Sequence, residues 1–313
     1  MNRAELIGEV ANLLRTSAFG AEMLIKTAPN KYRHYTIDKR SGGTRDIYHP
    51  APALKSVQRW LVSQVLQNIP VHDSVYSYVK GRSIREHAAQ HVRSNFFLRL
   101  DFVDFFPSID DQWVSEFLLR RAREGFVELS PNAIPTVARL VCRKGVTPRP
   151  PALSIGAPSS PAISNAILFD LDSAMHQMCA NLDVKYTRYA DDIYCSTRTP
   201  NVLRDVEQYL RRACGDICPK LRINEQKTQR LSRRRRVLVT GLVVTSNRRI
   251  SLGRDVKRKI RTQIYLWNEN QLRGEQLAHL RGLVSYAQDV ERSFVESLKA
   301  KFGVEVIDRL IHG

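Results

Sequence analysis

Three aspartates are the residues of this chain whose type and spacing best suit catalysis. Asp101 stands alone in an alternating apolar segment, and Asp191 and Asp192 lie side by side between two later apolar segments. Two carboxylates about 4 Å apart repel by roughly 4 kcal/mol at an effective dielectric near 20. Divalent cations remove that cost, and Mg²⁺ shares such ligands with substrate phosphates. The aspartates therefore predict two-metal phosphoryl transfer, whereas an isolated Asp-Asp pair is more often a solvated turn.

The overall charge indicates a polyanionic partner. The 313 residues include 49 Lys and Arg against 31 Asp and Glu, which gives a formal net charge of +18. An excess of this size favours nucleic acid over a membrane surface. The composition, 43% hydrophobic and 26% charged, is globular and excludes wholesale disorder. No stretch approaches the roughly 18 consecutive apolar residues of a membrane span, and residues 1–15 lack the apolar core of a signal peptide.

Cysteines and histidines offer weaker alternatives for a metal site. Five scattered cysteines, an odd number, predict reduced thiols and a cytoplasmic location. Cys214 and Cys218 have the spacing of half a metal site, but no second Cys/His pair has matching spacing. His87 and His91 have the i,i+4 spacing of a metal pair, although a structural histidine contact is the commoner outcome.

Alternating and helical patterns predict the elements that position the aspartates. The order of elements predicts an α+β fold whose C-terminal part is helical and basic. A Pro- and Gly-rich loop is expected over 145–161. Helices are predicted over 2–15, 53–69, 83–93, 133–143, 162–180 and 202–213, and through most of 253–311. Strands are predicted as a hairpin over 32–50, one strand from 96 that ends at Pro107, a strand-turn-strand unit over 184–197 and a strand pair over 235–245.

Six motifs in a fixed order resemble those of reverse transcriptases. LRLDFVDFFPSI and TRYADDIYCS resemble the two catalytic motifs of the palm. YRHYTIDKRSGGTRDIYHP resembles the fingers, and IGAPSSPAISN resembles the loop and helix beside the nascent base pair. LRINEQKT resembles the palm segment that bears a lysine, and VLVTGLVV resembles the strand pair before the thumb. The resemblance covers most of the chain and implies a right-hand polymerase fold with fingers, an antiparallel palm sheet with helices and a helical thumb.

Among reverse transcriptases, the chain is most similar to the bacterial retron type. It has the VTG triplet at 239–241 and no appended maturase, endonuclease or ribonuclease H segment. Retron enzymes usually carry an Asn-Ala-x-x-His element, and here His87 replaces its Asn. The resemblance implies an N-terminal helix and fingers over 1–95, a palm over 96–235 with a fingers insertion around 120–160, and a strand pair with the helical thumb over 236–313.

The resemblance implies the metal ligands and the nucleotide contacts. Asp101 and Asp191 would hold two Mg²⁺, with Asp192 as a weaker third ligand and the Phe102 carbonyl completing one coordination sphere. Phe106 would clash with a ribose 2′-hydroxyl and so select deoxynucleotides, or else it is a core residue. The remaining implied nucleotide contacts are Lys39 and Arg45 on the triphosphate, the backbone of Gly156 and Ala157, and Lys227, which would protonate or steer the leaving pyrophosphate.

Two further consequences concern nucleic acid. Ile155 stands where many relatives have a Gln that positions the incoming nucleotide, so that contact is absent. Basic residues are expected to contact phosphates, with a solvated charge as the alternative for each. They are Lys80, Arg82, Arg233, Arg234, Arg235, Arg236, Lys257, Arg258 and Arg261.

The implied activity is RNA-directed DNA polymerisation from dNTPs. A retron enzyme would use one structured noncoding RNA as template and primer, starting from a guanosine 2′-hydroxyl, and would leave branched RNA-linked single-stranded DNA (msDNA). Antiphage defence with an accessory effector protein is a further implication. Two alternatives stay open. One is another bacterial lineage, of the group II intron, diversity-generating or abortive-infection type, and the other is a catalytically idle RNA-binding scaffold, which the three aspartates disfavour.

Overall fold

Helices and three antiparallel sheets make up the computed structural model, which describes residues 1–38, 42–146 and 148–312. The predicted α+β class is confirmed, and so is the hairpin over 32–50. The helix predicted over 53–69 ends earlier and finishes in one π-helical turn, Leu61–Val65. The N-terminal elements are α1 (Arg3–Leu14), α2 (Ala18–Thr27), β1 (Tyr32–Asp38), β2 (Thr44–Pro50), α3 (Pro52–Trp60) and α4 (Ile84–Ala89).

A four-stranded sheet, the palm sheet, lies at the centre of the predicted palm. Its strands are β3 (Phe96–Leu100), β4 (Lys185–Tyr189), β5 (Asp192–Thr197) and β6 (Gln229–Ser232), in the order β4-β5-β3-β6. All neighbours are antiparallel, so the end of β3 and the turn between β4 and β5 meet at one end of the sheet.

The prediction that the strand beginning at residue 96 runs as far as Pro107 is wrong. The strand ends at Leu100, and the chain turns at Asp104, which has φ 47°. Pro107 lies in a short 3₁₀ helix, Phe106–Ser108, rather than at a strand end. Because the strand is short, Asp101 is the first residue beyond the sheet.

Helices pack around the palm sheet. Asp110 caps the helix that follows, because its carboxylate accepts a hydrogen bond from the Trp113 N–H at 2.8 Å. The long helix predicted over 162–180 is two helices, because the backbone at the buried Leu168 has ψ 4° and leaves helical geometry. The helices are α5 (Asp111–Arg123), α6 (Ile134–Val141), α7 (Ser160–Ile167), α8 (Phe169–Asn181) and α9 (Val202–Ile217).

The C-terminal part has its own hydrophobic core. A tight hairpin turns through Thr240 and Gly241, both with positive φ, which suits the twist of a two-residue turn. Phe97 and Tyr194 of the palm sheet contribute to this second core, so it is continuous with the palm. The elements are β7 (Val237–Val239), β8 (Leu242–Val244), β9 (Ile250–Ser251), α10 (Arg254–Asn268), α11 (Gly274–Val290), α12 (Arg292–Phe302) and α13 (Val304–His312).

Two buried histidines join α4, the palm sheet and the β7–β8 hairpin. His87 shares hydrogen bonds with the hydroxyls of Thr187 and Thr240, at 2.8 and 3.3 Å. His91 does the same with Thr187 and Ser196, both at 2.7 Å. Burial lowers the pKa of His87 to about 3 and holds that of His91 well below its usual range. The structural contact that was the commoner expectation is therefore confirmed for this pair.

The structure also bears on the cysteines and on membrane-spanning helices. All five cysteines are free and buried, and burial raises the pKa of Cys214 and of Cys218. Among the described residues, no helix combines the length and apolar character needed to cross a membrane.

Candidate active site

Asp101 lies directly after β3 and is held by the segment that precedes β6. Its backbone carbonyl accepts a hydrogen bond from the Asn224 N–H at 2.8 Å, and Val103 N–H donates to the Arg222 carbonyl at 2.8 Å. The same segment leads to Lys227, whose Nζ contacts both carboxylate oxygens of Asp101, at 2.9 and 3.0 Å. The carboxylate is buried, with 5% exposure, whereas the lysine side chain is mostly exposed. Backbone pairing thus brings two predicted site residues together.

Asp191 occupies a strained turn between β4 and β5. Tyr189 pairs with Asp192 across the hairpin, so that Ala190 and Asp191 form a two-residue loop. Ala190 has φ 56°, a conformation that costs a non-glycine residue about 1–3 kcal/mol and needs support from its surroundings. Its N–H donates to Ser77 Oγ at 2.7 Å, and its carbonyl accepts from Arg188 Nη1 at 3.0 Å. These bonds fix where Asp191 points.

A fully buried ion pair supports the same turn. Arg188 donates from Nε and Nη2 to the two carboxylate oxygens of Asp172, at 2.8 and 2.6 Å. Tyr186 Oη also donates to Asp172, at 2.7 Å, and Asn165 Oδ1 accepts from Arg188 at 3.2 Å. Neither Asp172 nor Arg188 was predicted as a site residue. An arginine inside an apolar strand, beside the aspartate pair, was the available signal.

Asp101, Asp191 and Asp192 lie at one end of the palm sheet, the catalytic end, which carries surplus negative charge. The pKa of Asp191 is raised from 3.8 to about 6, chiefly by burial and then by the charges of Asp192 and Asp101. Lys227 pairs with Asp101 and Arg99 pairs with Asp192, so the three carboxylates exceed the two cations that contact them by one negative charge. Strong pKa shifts of this kind concentrate at functional sites.

Asp192 differs from the other two aspartates because an arginine neutralises it. Arg99 on β3 donates from Nε and Nη2 to the Asp192 carboxylate at 2.8 to 3.0 Å, and its guanidinium lies over the Tyr194 ring. Burial raises the pKa of Asp192, and Arg99 opposes the rise. The role of Asp192 as a third metal ligand stays a prediction, and its observed partner is Arg99.

The donor set at this end fits a divalent cation such as Mg²⁺. Mg²⁺ binds proteins through one or two carboxylates and fills its other positions with water and substrate phosphates. Asp101 and Asp191 supply two carboxylates, and the Phe102 carbonyl accepts no hydrogen bond within the described ranges. No group of three His, Cys, Asp or Glu side chains in those ranges is arranged to hold a metal ion by itself. The site therefore suits an ion that is shared with substrate.

Phe106 is packed beneath this end of the sheet. The residue is 9% exposed, and its ring lies 5.2 Å from that of Phe105, which stacks at 5.9 Å on Phe102. The ring is thus a core contact on one side, and the residue keeps a small exposed fraction. Its role as a gate against ribonucleotides stays a prediction.

Arg45 and Gly156, two of the predicted nucleotide contacts, lie on segments that contact each other. Arg45 is an exposed residue on β2, and the next part of β2 contacts the loop that contains Gly156. Tyr48 N–H donates to the Ile155 carbonyl at 2.8 Å, and a Cβ on Gly156 would lie 2.9 Å from the Tyr48 carbonyl oxygen. Gly156 has φ 105°, so only glycine fits this close approach. Ala157 is buried behind the loop, and the predicted contact Lys39 lies outside the described residues.

Tyr78 is a residue of this site that the sequence did not predict. Its side chain is 59% exposed and its φ is 59°, whereas the neighbouring Ser77 is fully buried. Partial burial, and then the charge of Asp191, raise the pKa of Tyr78, and the charge of Arg45 opposes that rise. The phenol therefore lies within electrostatic reach of both the catalytic turn and β2. No spacing or composition signal marks it in the sequence.

Several basic residues predicted to contact phosphates have partners within the protein. Arg82 donates to the carbonyls of His72, Asp73 and Val75 and pairs with the Asp73 carboxylate, so its contact with phosphate stays a prediction. Lys257 forms an ion pair with Glu291 at 2.6 Å. Arg236 contacts Asp255 at 3.4 Å. Arg233 is bound to backbone carbonyls, and the exposed members of the set are Lys80, Arg234, Arg235, Arg236, Arg258 and Arg261.

Comparison with known proteins gives a consistent result. A family described as "Reverse transcriptase (RNA-dependent DNA polymerase)" matches residues 37–244. The Retron Ec83 reverse transcriptase of Escherichia coli is 33% identical over 91% of this chain and 92% of its own length. The Retron Ec73 reverse transcriptase of the same species is 32% identical over 94% and 93%. A telomerase structure from Candida albicans, in complex with a TWJ fragment of telomeric RNA, aligns with a TM-score of 0.52. The alignment has 14% identity and covers 92% of this chain and 58% of that chain, and it supports the right-hand fold.

Proposed function

Since the chain belongs to the reverse transcriptase family, with retron-type relatives over nine-tenths of its length, we propose that it copies a structured noncoding RNA into RNA-linked single-stranded DNA (msDNA). The enzyme is an RNA-directed DNA polymerase, so its template is RNA and its product is DNA. The observation that carries the proposal is the meeting of Asp101 and Asp191 at one end of the palm sheet, where the pKa of Asp191 is raised to about 6.

Two Mg²⁺ ions are the proposed cofactors. Asp101, Asp191 and the Phe102 carbonyl would hold them, and Asp192 would contribute only if Arg99 released it. When bound, such ions stabilise the charge on the attacking and leaving oxygens of a phosphoryl displacement. The excess carboxylate charge supports this assignment, because it is the charge that a cation would neutralise.

The chain's own side chains would position the substrates. Arg45 would neutralise the triphosphate from β2, and the exposed backbone at Gly156 would approach the nascent base pair. Phe106 would exclude the 2′-hydroxyl of a ribonucleotide. Lys227 is held on Asp101 in the free protein, and once substrate is bound its Nζ would donate a proton to the leaving pyrophosphate. The exposed ring of Tyr78 would contact the nucleic acid beside Asp191.

The wider role follows from retron membership. The noncoding RNA would provide both template and primer, through a guanosine 2′-hydroxyl, and the DNA would remain branched from it. An accessory effector protein and a role in antiphage defence complete the proposal, together with a cytoplasmic location that suits five free thiols.

Sequencing of the nucleic acid that copurifies with the protein tests this proposal. A single RNA species joined to DNA complementary to part of itself is the expected result, and treatment with ribonuclease should leave DNA with a short RNA remnant. Recovery of unrelated cellular RNAs without attached DNA would contradict the retron role. Template-directed dNTP incorporation on a generic RNA template with an annealed DNA primer tests the polymerase activity separately, and its absence would favour an idle scaffold.

A further inference from the structure

The end of the palm sheet away from the aspartates is a second functional candidate. Phe96 pairs with Thr197 on one side and with Ser232 on the other, so the segments beyond these three residues meet there. At about 3.3 Å per residue, the length of β3 separates this end from Asp101 by roughly 15–20 Å. A group bound at this distal end is therefore too far away to take part in phosphoryl transfer.

Arg233 organises the distal end. Its Nε donates to the Ser94 carbonyl and its Nη1 to the Thr245 carbonyl, both at 2.8 Å, and Nη2 reaches the carbonyls of Val92 and Ser94. The side chain thus ties the segment before β3 to the turn between β8 and β9. The Arg248 N–H donates to the same Thr245 carbonyl at 3.1 Å, which places Arg248 close by. Burial lowers the pKa of Arg233, and the charge of Arg248 lowers it further.

Six exposed arginines surround Arg233 and form the distal arginine cluster. Within the described ranges, none of the six has an acidic partner within 4 Å. By contrast, Arg236 and Lys257 just beyond the cluster each have one. Arg198 Nε donates to the Arg93 carbonyl at 3.3 Å, so these two arginines are adjacent. The cluster consists of Arg93, Arg198, Arg234, Arg235, Arg248 and Arg249.

We propose that the distal arginine cluster binds the phosphate backbone of a structured RNA segment, away from the template strand in the active site. Like charges gathered without counter-ions destabilise the free protein, and a polyanion removes that cost. Guanidinium groups bind phosphates in a bidentate fashion, so arginine is the residue type that this ligand favours. The proposal rests on the proposed function, because a noncoding RNA that is both template and primer has stems that must be held while another part is copied.

An RNA ligand accounts for the cluster better than a protein or a DNA duplex does. Protein interfaces centre on buried aromatic or aliphatic anchors, and no large hydrophobic residue within the cluster's own segments, 92–95, 197–199, 233–236 and 245–249, is strongly exposed. DNA is absent before synthesis begins, whereas the RNA must be bound from the start. Contacts to phosphates carry no sequence information, so the cluster would recognise shape and charge rather than a base sequence.

Two charge-matched triple variants of the full chain test the proposal. One replaces Arg93, Arg248 and Arg249 with Gln, and the control makes the same change at Arg15, Arg59 and Arg123, which are exposed and lie outside the cluster. The probe is an RNA hairpin with a long stem, titrated by fluorescence anisotropy at several salt concentrations. Each lost phosphate contact should make the negative slope of log K against log salt less steep by about 0.7–0.9. The slope of the cluster variant should therefore be less steep by about 2 to 3, and the variant should bind the hairpin at least about tenfold more weakly at low salt.

The control variant and the polymerase assay decide the outcome. The control should bind the hairpin as the unmodified protein does, and both variants should extend a short primer–template at unchanged kcat. Equal losses of hairpin affinity in both variants would mean that net charge alone causes the effect and would overturn the proposal. Undiminished binding by the cluster variant would also overturn it. A DNA duplex that competes as well as the RNA hairpin would also overturn it, in favour of a surface for the product. Because the unmodified protein's activity on the short primer–template is measured independently, failure of the proposed function remains distinguishable.

Discussion

The two ends of the palm sheet carry opposite surplus charge and are built in opposite ways. At the catalytic end, a buried carboxylate and a strained turn are fixed by Arg188, Asp172 and a network of backbone hydrogen bonds. At the distal end, the half-buried Arg233 fixes the backbone, and the surrounding arginines are exposed and have no acidic partner in the described part of the chain. Chemistry needs charges held in one geometry, whereas binding to a polymer backbone tolerates flexible side chains. The difference predicts that the two ends can be disabled independently.

The largest expected effect comes from Asp191→Asn at the catalytic end. The amide keeps the size of the side chain but cannot neutralise a cation, so DNA synthesis should fall by at least about 1,000-fold. Binding of a structured RNA hairpin should stay within about twofold, because phosphate contacts elsewhere supply that affinity. Primer extension with Mg²⁺ and hairpin titration measure the two quantities on the same preparation. Near-normal synthesis would remove Asp191 from the active site, and a parallel loss of RNA binding would mean that the two ends are not separable.

The same end should show a pH-dependent stability in the presence of a chelator. Asp191 has a pKa of about 6 in the folded protein and 3.8 as its ordinary value, so the folded state binds its proton more tightly. The ionised carboxylate therefore destabilises the fold above pH 6, and the penalty fades as the pH falls towards 4. Asp191→Asn, which has no charge, should be more stable than the unmodified protein by up to about 3 kcal/mol at pH 7.5, with the difference vanishing near pH 4.

Denaturant unfolding in EDTA at a series of pH values measures this difference. The exposed Asp216→Asn on α9 is the matched control and should change the unfolding free energy by less than about 0.5 kcal/mol at every pH. If the Asp191→Asn variant differs from the unmodified protein by the same free energy at pH 4 and at pH 7.5, charge is not the cause.

The sequence predicts the catalytic end far better than the distal end. Asp101 and Asp191 are visible because each lies beside an alternating apolar segment, and the motif order places both at the end of a palm strand. Pairing between strands then brings them together, which the sequence implies but does not measure. The length of β3 could not be predicted, because the apolar residues beyond Leu100 continue the pattern while the backbone turns away.

The distal cluster and the supports of the catalytic turn escaped prediction for a physical reason. Arg93 and Arg198 are far apart in sequence and become neighbours through the register of β3 and β5. Arg248 joins them because Arg233 binds the Thr245 carbonyl of its turn. The run of four arginines at 233–236 is conspicuous, but the sequence gives its members one role, whereas the structure half-buries the first and exposes the other three. Likewise, Asp172 has no marked neighbours in the chain and acquires its function from contact with Arg188.

Phe106→Val tests whether the catalytic end also selects the sugar. Removal of most of the ring should raise the ratio of ribonucleotide to deoxynucleotide incorporation by about 10- to 100-fold, the range that one lost steric contact allows. Phe105→Leu is the control, since that ring packs against Phe106 but lies deeper in the core. Steady-state kcat/KM for matched dNTP and rNTP pairs gives the ratio. If both variants lose activity equally on both substrates, Phe106 acts only in packing.

Arg233→Gln compared with Arg234→Gln sharpens the description of the distal end. The first change leaves the carbonyls of Ser94 and Thr245 without their charged donor and should lower the free energy of unfolding by about 2 kcal/mol. The second removes an exposed charge and should change it by less than about 0.5 kcal/mol while it weakens hairpin binding. Chemical denaturation measures both. Equal stability of the two variants would mean that the Arg233 guanidinium does not hold the distal end together.

The smallest effect is expected at Tyr78, the exposed aromatic residue beside the catalytic turn. If its ring stacks on a base or sugar of the bound primer–template, Tyr78→Ala should raise the KM for primer–template about fivefold, near 1 kcal/mol and at the lower limit of aromatic–base stacking. Tyr78→Phe keeps the ring and should behave as the unmodified protein does, whereas a hydroxyl contact would make the two variants alike.

Because residue 78 has φ 59°, Tyr78→Asn provides a second variant that tolerates this backbone and lacks the aromatic ring. Its KM should match that of Tyr78→Ala, and a KM near the unmodified value in either variant would exclude stacking. Hairpin binding at the distal end should be unaffected in all three, which separates loss of a contact at the catalytic end from loss of RNA affinity in general.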